Sequence, residues 1–337
     1  MRELVIVIQD LYLSAAAADL RLGGEPRALA GLEFMARFGA RAPLTRGWRP
    51  WLAGWVGWDG LAGIAPARIA AALHPQLAGR AGTLWLAVPV HLSAGLARVH
   101  LAAAGLLYLH EDELAQLAQD FAAAFAGSGF SLTPASPREL LLLTPGIEAV
   151  PVAEPARFAG AEVNEALPRG PAAAGLRRTW TETEMWLHSL PRNQARPVPV
   201  TALWPWGAVG AGMPPAATVG AGPDAFAHDA YVRGLWHICG LACHAVPAGV
   251  EEMFGGDACG RAVLVVEAGS MLTDGSADFG AALAQLDARY LSPAVRALRA
   301  GHIGQLRLIA NDRCLTVTRH DGLKFWRRAR AGLRGIT

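Results

Sequence analysis

Asn311, Asp312 and Arg313 follow directly on an apolar run, Leu306 to Ala310, and His320 comes in the turn beyond. A carboxylate and an imidazole near the end of a strand are groups that hold divalent cations, and open α/β sheets place their ligands at that carboxyl edge. Arg313 is different. Its guanidinium is always protonated and offers only donors, so it can replace the charge of a metal ion but cannot ligate one. The first strand, Leu4 to Ile8, delivers Gln9 and Asp10 in the same way, which makes Asp10 either a further ligand or a carboxylate capping the strand end. Asp274 and Asp278 are candidates for displaced ligands, although N-capping of a following helix accounts for both more simply.

Elements of two kinds must position these residues. Ala262 to Glu267 (AVLVVE) reads as a buried strand, and Gly280 to Ala300 as a helix with Leu283, Leu286, Tyr290, Val295 and Leu298 at helical spacing. The strand from Leu306 to Ala310 completes a strand, helix, strand unit. This order resembles the archaeal-type, cofactor-independent phosphoglycerate mutases of the alkaline-phosphatase superfamily. In that family the first strand leads into a Pro-Asp-Glu-x-x-His segment, and the second ends in Asp-His followed by a later His. Here the first segment reads Glu267-Ala-Gly-Ser-Met-Leu-Thr-Asp274, with Ser270 about where the Asp would be and no His. The Asp-His pair becomes Asp312-Arg313, and the trailing His is matched by His320.

The resemblance extends along most of the chain. Thr201-Ala-Leu-Trp-Pro-Trp-Gly207, then Gly210 and Pro214, is similar to a family strand ending in Trp-x-Trp-Gly. Asn193 and Arg196 resemble an Asn-x-x-Arg signature before it, which implies a substrate-binding role for both, with Arg313 as a third contact. Asp224 to Cys243, read as one helix, carries a Gly-hydrophobic pattern at Gly234 and Gly240. Leu32 to Gly39 looks like the helix before the family's nucleophile loop, and Gly57-Trp-Asp59 resembles a Gly-Tyr-Asp. A narrower resemblance is to the bacterial proteins called regulation-of-pathogenicity-factors protein E, which share a mutase-like chain with an eroded active site.

Phosphoryl chemistry of that type needs two metal ions and a hydroxyl nucleophile. The nucleophile should follow Gly39, and Thr45 is the one hydroxyl between Arg37 and Ala81. That segment instead carries Trp48, Trp51, Trp55 and Trp58, spaced to fall on one helical face. They form either an aromatic plug in the core or a stacking surface for a partner. Cys239 and Cys243, one helical turn apart, suggest a metal site on spacing alone but read better as buried structural thiols. His91 and His100, on short strands, read as satisfied core or surface histidines. The basic tail from Lys324 to Arg334 reads as a solvated face.

A chain of 337 residues, 53% hydrophobic and 17% charged, belongs with compact globular proteins and not with disordered ones. The net charge of +2 gives no basis for nucleic-acid binding. Of 30 basic residues, Lys324 is the single lysine, a bias that reads as codon usage and not as phosphate-binding design. The opening apolar run is too short for a signal peptide, and every longer one is interrupted by charge, so a cytoplasmic protein without a membrane span is expected. Four cysteines in a chain of this size do not make a disulfide framework.

Helices are expected around Arg27 to Phe38 and Pro66 to Leu77. Short strands follow at 84–88, 97–101 and 106–109, then a helix from His110 with an acidic first turn, a strand at Glu139 to Leu143 and a helix from Ala172 to Leu190. The expected architecture is α/β: an alkaline-phosphatase-like core sheet flanked by helices, with an inserted α+β cap domain. The core takes 1–80 and 200–337, and the cap 81–199. The functional expectation is a non-catalytic, degenerate mutase-like protein that binds a small anionic ligand or a protein partner, with no cofactor. The alternative is a metal-dependent phosphotransferase or phosphomonoester hydrolase with a reduced site, Asp10, Asp312 and His320 holding Mn or Zn and Thr45 acting as nucleophile.

Overall fold

The computed structural model describes residues 2–12, 29–95, 98–164, 166–210, 212, 221–254, 260–272 and 278–323. Arg27, Asp274, Pro214, Cys259 and the tail from Lys324 lie outside these residues. The chain divides into two compact units, one formed by Met1–Gly63, Ala217–His228 and Cys239–Thr337, the other by Ile64–Ala216 and Asp229–Ile238.

The first unit is built on strands β1 (Glu3–Ile8), β2 (Ala40–Pro43), β8 (Asp224–Phe226), β9 (Cys243–His244), β10 (Arg261–Val266), β11 (Gln305–Ala310) and β12 (Arg313–Thr318). Among the described residues they form one sheet in the order β2-β12-β11-β1-β10-β8-β9. β1 pairs in parallel with β10 and β11, while β12 runs antiparallel to β11 and β2 antiparallel to β12. Leu4 to Ile8 and Ala262 to Val266 are all buried, the continuous apolar run that a parallel strand covered on both faces requires.

Helices of the same unit are α1 (Ala30–Phe38) and α2 (Trp48–Val56), the latter ending at Gly57 in the left-handed conformation, φ 105°. The expected helix from Gly280 to Ala300 is broken into α8 (Phe279–Leu286), a π-helical turn (Asp287–Leu291) and α9 (Ser292–Ala300). The turn has a clear anchor. Asp287 is buried, and its two oxygens accept the amides of Leu32 at 2.7 Å and Gly31 at 3.0 Å, while the Ser292 hydroxyl donates to it at 2.8 Å. It thereby caps α1, whose own N-cap Leu29 has no side chain able to do so. A Cβ on Gly31 would meet the backbone at Ser292 and Leu291 at 2.6 and 2.7 Å, so only glycine allows this approach.

The second unit carries β3 (Thr83–Ala94), β4 (Val99–Leu106), β5 (Ser131–Ser136), β6 (Glu139–Thr144) and β7 (Ala202–Gly210), all antiparallel, with β3 paired to β4, β6 and β7. Its helices are α3 (Pro66–Ala70), α4 (Glu111–Ala124), α5 (Ala174–Ser189), α6 (Pro191–Gln194) and, apart from its last residue, α7 (Ala230–Cys239). The segment expected to insert at 81–199 thus starts earlier and ends later. β7, expected in the core sheet, pairs instead with β3 from Thr83 to Val90, and α3 packs on both strands.

Two other expectations change. The helix expected from Asp224 to Cys243 is a strand, then α7, then Gly240 at φ 68° and strand β9, so Cys239 and Cys243 are not one helical turn apart. The helix expected over Pro66 to Leu77 stops at Ala70 and continues as 3₁₀ turns, because Pro75 cannot extend it. No helix among the described residues is long and apolar enough to cross a membrane.

Candidate functional site at the carboxyl edge of the first sheet

The carboxyl ends of β1, β10 and β11 lie side by side, with Ile8 in register with Val266 and Val7 with Ile309. Gln9 and Asp10 leave β1 here, Glu267 leaves β10, and Asn311 and Asp312 leave β11. This is where an open parallel sheet offers a site.

Asp10 is buried, and both of its oxygens are engaged by backbone. Oδ1 accepts the Ala268 amide at 2.8 Å and Oδ2 the Gly269 amide at 2.7 Å, which pins the 3₁₀ turn Gly269–Met271 to the end of β1. Charge-assisted bonds of this kind are the strong ones. Beside it, the Gln9 amide donates to Oε1 of Glu267. Burial, and then the neighbouring charge of Asp10, push the Glu267 carboxyl well above the usual carboxylate range, against the opposing pull of the Arg49 guanidinium. Arg49 is itself buried, near the start of α2, with its guanidinium 4.2 Å from the centre of the Trp48 ring.

Asn311 and Asp312 both have left-handed backbone, φ 52° and 53°, and form the two-residue turn between the antiparallel β11 and β12. Such a turn needs positive φ at both positions, which Asn and Asp tolerate better than other side-chain-bearing residues. This geometry is sufficient to account for their types. The turn is tied down by the Asn311 amide donating to the Leu11 carbonyl at 2.9 Å and the Leu44 amide donating to the Asp312 carbonyl at 2.7 Å. The second bond brings the exposed Thr45 to the same edge, and Arg313, paired with Pro43, follows the turn.

His320 is not brought there. β12 runs back along the sheet, Thr318 stands opposite Gln305 and Gln305 opposite Glu3, so His320 is exposed at the amino edge. Six strand residues at about 3.3 Å each put it about 20 Å from Asp312. The ligand set Asp10, Asp312 and His320 therefore does not close on one ion. The metal site that the resemblance implies is not assembled from these residues: each oxygen of Asp10 is engaged by a backbone amide, His320 lies at the other edge, and the positive charge of Arg49 bears on Glu267. Among the described residues no group of three or more His, Cys, Asp or Glu is placed to hold a metal ion.

The four indoles separate. Trp48 is buried; Trp51 and Trp55 are half-buried and stacked, 6.1 Å between rings. Trp58 lies past the Gly57 cap and off the helix. Arg261 sits over Trp55 at 4.4 Å, and Arg307 lies 5.8 Å from the centre of the Trp51 ring. Both guanidiniums pair with Glu3, at 3.2 and 2.8 Å, and the Trp55 indole N–H donates to it at 3.3 Å. Three of the indoles are thus committed to the fold of this unit, as packing of an aromatic helix against a sheet would have it.

Asn193 and Arg196 lie in the second unit. Asn193 is buried, donating to the carbonyls of Leu187 at 2.9 Å and Val200 at 2.8 Å and accepting the Val200 amide at 2.8 Å. Arg196 pairs with Glu113, whose other oxygen accepts the His110 amide at 2.8 Å in a capping box on α4. Both residues expected to bind substrate are occupied in holding the polypeptide together. His91 is satisfied by the Pro199 carbonyl at 2.9 Å. Cys239 is buried, its thiol pushed up to about 11 by desolvation, and His244 is 3.9 Å from Asp224.

The Gln9–Glu267 contact and the Arg49 charge were not anticipated. Glu267 ends a buried strand, which was a usable signal, whereas Arg49 lay hidden among tryptophans.

No known protein family matches the chain by sequence, and no curated protein does. Among solved structures it is similar to the cofactor-independent phosphoglycerate mutase from Thermoplasma acidophilum, at 14% identity over 94% of this chain and 90% of that one, with a TM-score of 0.37. It is also similar to a protein from Pyrococcus horikoshii, at 10% identity over 94% of this chain and 87% of that one, with a TM-score of 0.43. Neither likeness is close enough to carry a role to a residue here.

Proposed function

We propose that this chain is a degenerate, phosphoglycerate mutase-like protein of the alkaline-phosphatase superfamily that acts by binding or regulation, not by phosphoryl transfer. The observation that supports this reading is the state of Asp10: each oxygen is held by a backbone amide, beside a Glu267 carboxyl whose pKa burial raises and the charge of Arg49. A metal ion would have to share Asp10 with those bonds and tolerate the nearby guanidinium. The test is elemental analysis of protein purified with excess manganese and zinc, together with a phosphomonoester screen. We expect substoichiometric metal and no turnover. Two tightly held transition metals per chain would overturn the proposal.

One observation favours a second reading, a phosphotransferase or phosphatase with a reduced site. The Leu44–Asp312 bond holds Thr45 at the same edge as Asp10. If that screen yields turnover, Thr45→Ala should abolish it, and turnover unchanged by the substitution would remove Thr45 from any mechanism.

A further inference from the structure

Within the second unit, helix α4 and the segment from Leu190 to Val200 line a shallow, half-open pocket. Its floor is apolar, with Leu109, Leu117 and Val200 buried and Leu190 packed beside them. Four charged side chains face it: Glu113, Asp120, Arg192 and Arg196. Glu113 and Arg196 neutralise one another, and the Asn193 side chain is taken up by backbone.

Two charges of opposite sign remain. Asp120 has one oxygen, Oδ1, engaged by the Gln116 amide at 2.8 Å, and Arg192 is exposed at the pocket. A guanidinium is suited to a planar carboxylate, and a carboxylate to an ammonium group, while the leucine floor rewards a short hydrocarbon.

We propose that this pocket binds a small apolar α-amino acid as its zwitterion, the carboxylate on Arg192, the ammonium on Asp120 and the side chain on the floor. Ligands of one charge are disfavoured by construction. An anion would bring its charge near Asp120, and a cation near Arg192; a zwitterion meets a partner at each end. The inference is independent of the first unit and of whether that unit has any activity.

Isothermal titration calorimetry of the full chain with L-leucine and L-valine tests it, with isocaproate and isoamylamine as the separate halves of the ligand. We expect saturable one-to-one binding of an amino acid, with each half weaker by at least about tenfold, the loss of one charge-assisted pair. Arg192→Ala and Asp120→Asn should each weaken binding by about the same factor. Both sites are at least partly solvent-exposed, so the unliganded variants should keep the wild-type melting temperature. No saturable binding, equal binding of either half, or binding indifferent to both substitutions would overturn the proposal. The comparison of ligands on the unmodified chain decides the matter even if a variant fails to fold.

Discussion

The carboxylate of Asp10 accepts the amide of Gly269 at 2.7 Å, joining the end of β1 to the turn that leaves β10. A residue that sequence offers as a metal ligand is here a clamp between neighbouring strands. Asp10→Asn keeps the shape but loses the charge and, in any orientation, one acceptor. We expect a loss of about 1 to 3 kcal/mol in urea unfolding, with the metal content of the protein unaltered. An unaltered unfolding midpoint would show that the amides are satisfied some other way.

Glu267 should make stability fall as pH rises. Its folded-state pKa is raised well above the reference value of 4.5, so the folded chain holds a proton that the unfolded chain releases. The group's contribution is complete below about pH 4.5 and is lost progressively as pH climbs toward the folded value. Glu267→Gln can still accept from Gln9 and has no proton to lose. Thermal melts between pH 4.5 and 8 should show a flatter profile for the variant and equal or higher stability at pH 8. A slope identical to wild type would sink this account.

Asp287→Ala removes the cap of α1 and the partner of the Ser292 hydroxyl at once. We expect about 2 to 4 kcal/mol of destabilisation, since two buried amides lose their acceptor. Amide hydrogen exchange should locate the damage in the first turn of α1, and unchanged protection of Gly31 and Leu32 would contradict the assignment.

Asn193→Ala separates a structural from a ligand-binding role. The residue makes three bonds to backbone, so its loss should cost about 2 to 4 kcal/mol by chemical denaturation. A variant as stable as wild type would restore Asn193 as a candidate ligand contact.

The strands were legible because burial writes itself into sequence as unbroken aliphatic runs; Leu4 to Ile8 and Ala262 to Val266 occur where expected. Helix α4 was legible for an electrostatic reason, its acidic first turn at Glu111, Asp112 and Glu113. The site was harder to read because the same residue types serve chemistry and architecture. Asn and Asp at the end of β11 signal ligands or a left-handed turn with equal force, and only the antiparallel return of β12 decides. The same return removes His320 from the edge that sequence order assigned it. Strand β7 was misplaced because its apolar pattern fits either sheet; the pairing partner is a long-range fact that no local window contains.

The π-helical turn at Asp287–Leu291 has a consequence for how the chain tolerates change in length. A π turn accommodates one residue more than an α turn, so α9 is rotated by about 100° from the phase α8 would have continued. The buried set Pro293, Ala294, Val295, Ala297 and Leu298 depends on that offset. Deleting one residue from 288–291 would restore an unbroken α-helix with the apolar stripe of α9 still in phase, whereas straightening the turn at full length would swing that stripe toward water. A single codon lost within 288–291 should therefore be absorbed better than a single codon gained. The turn sets the rotational phase of two helices that sequence periodicity alone presents as one.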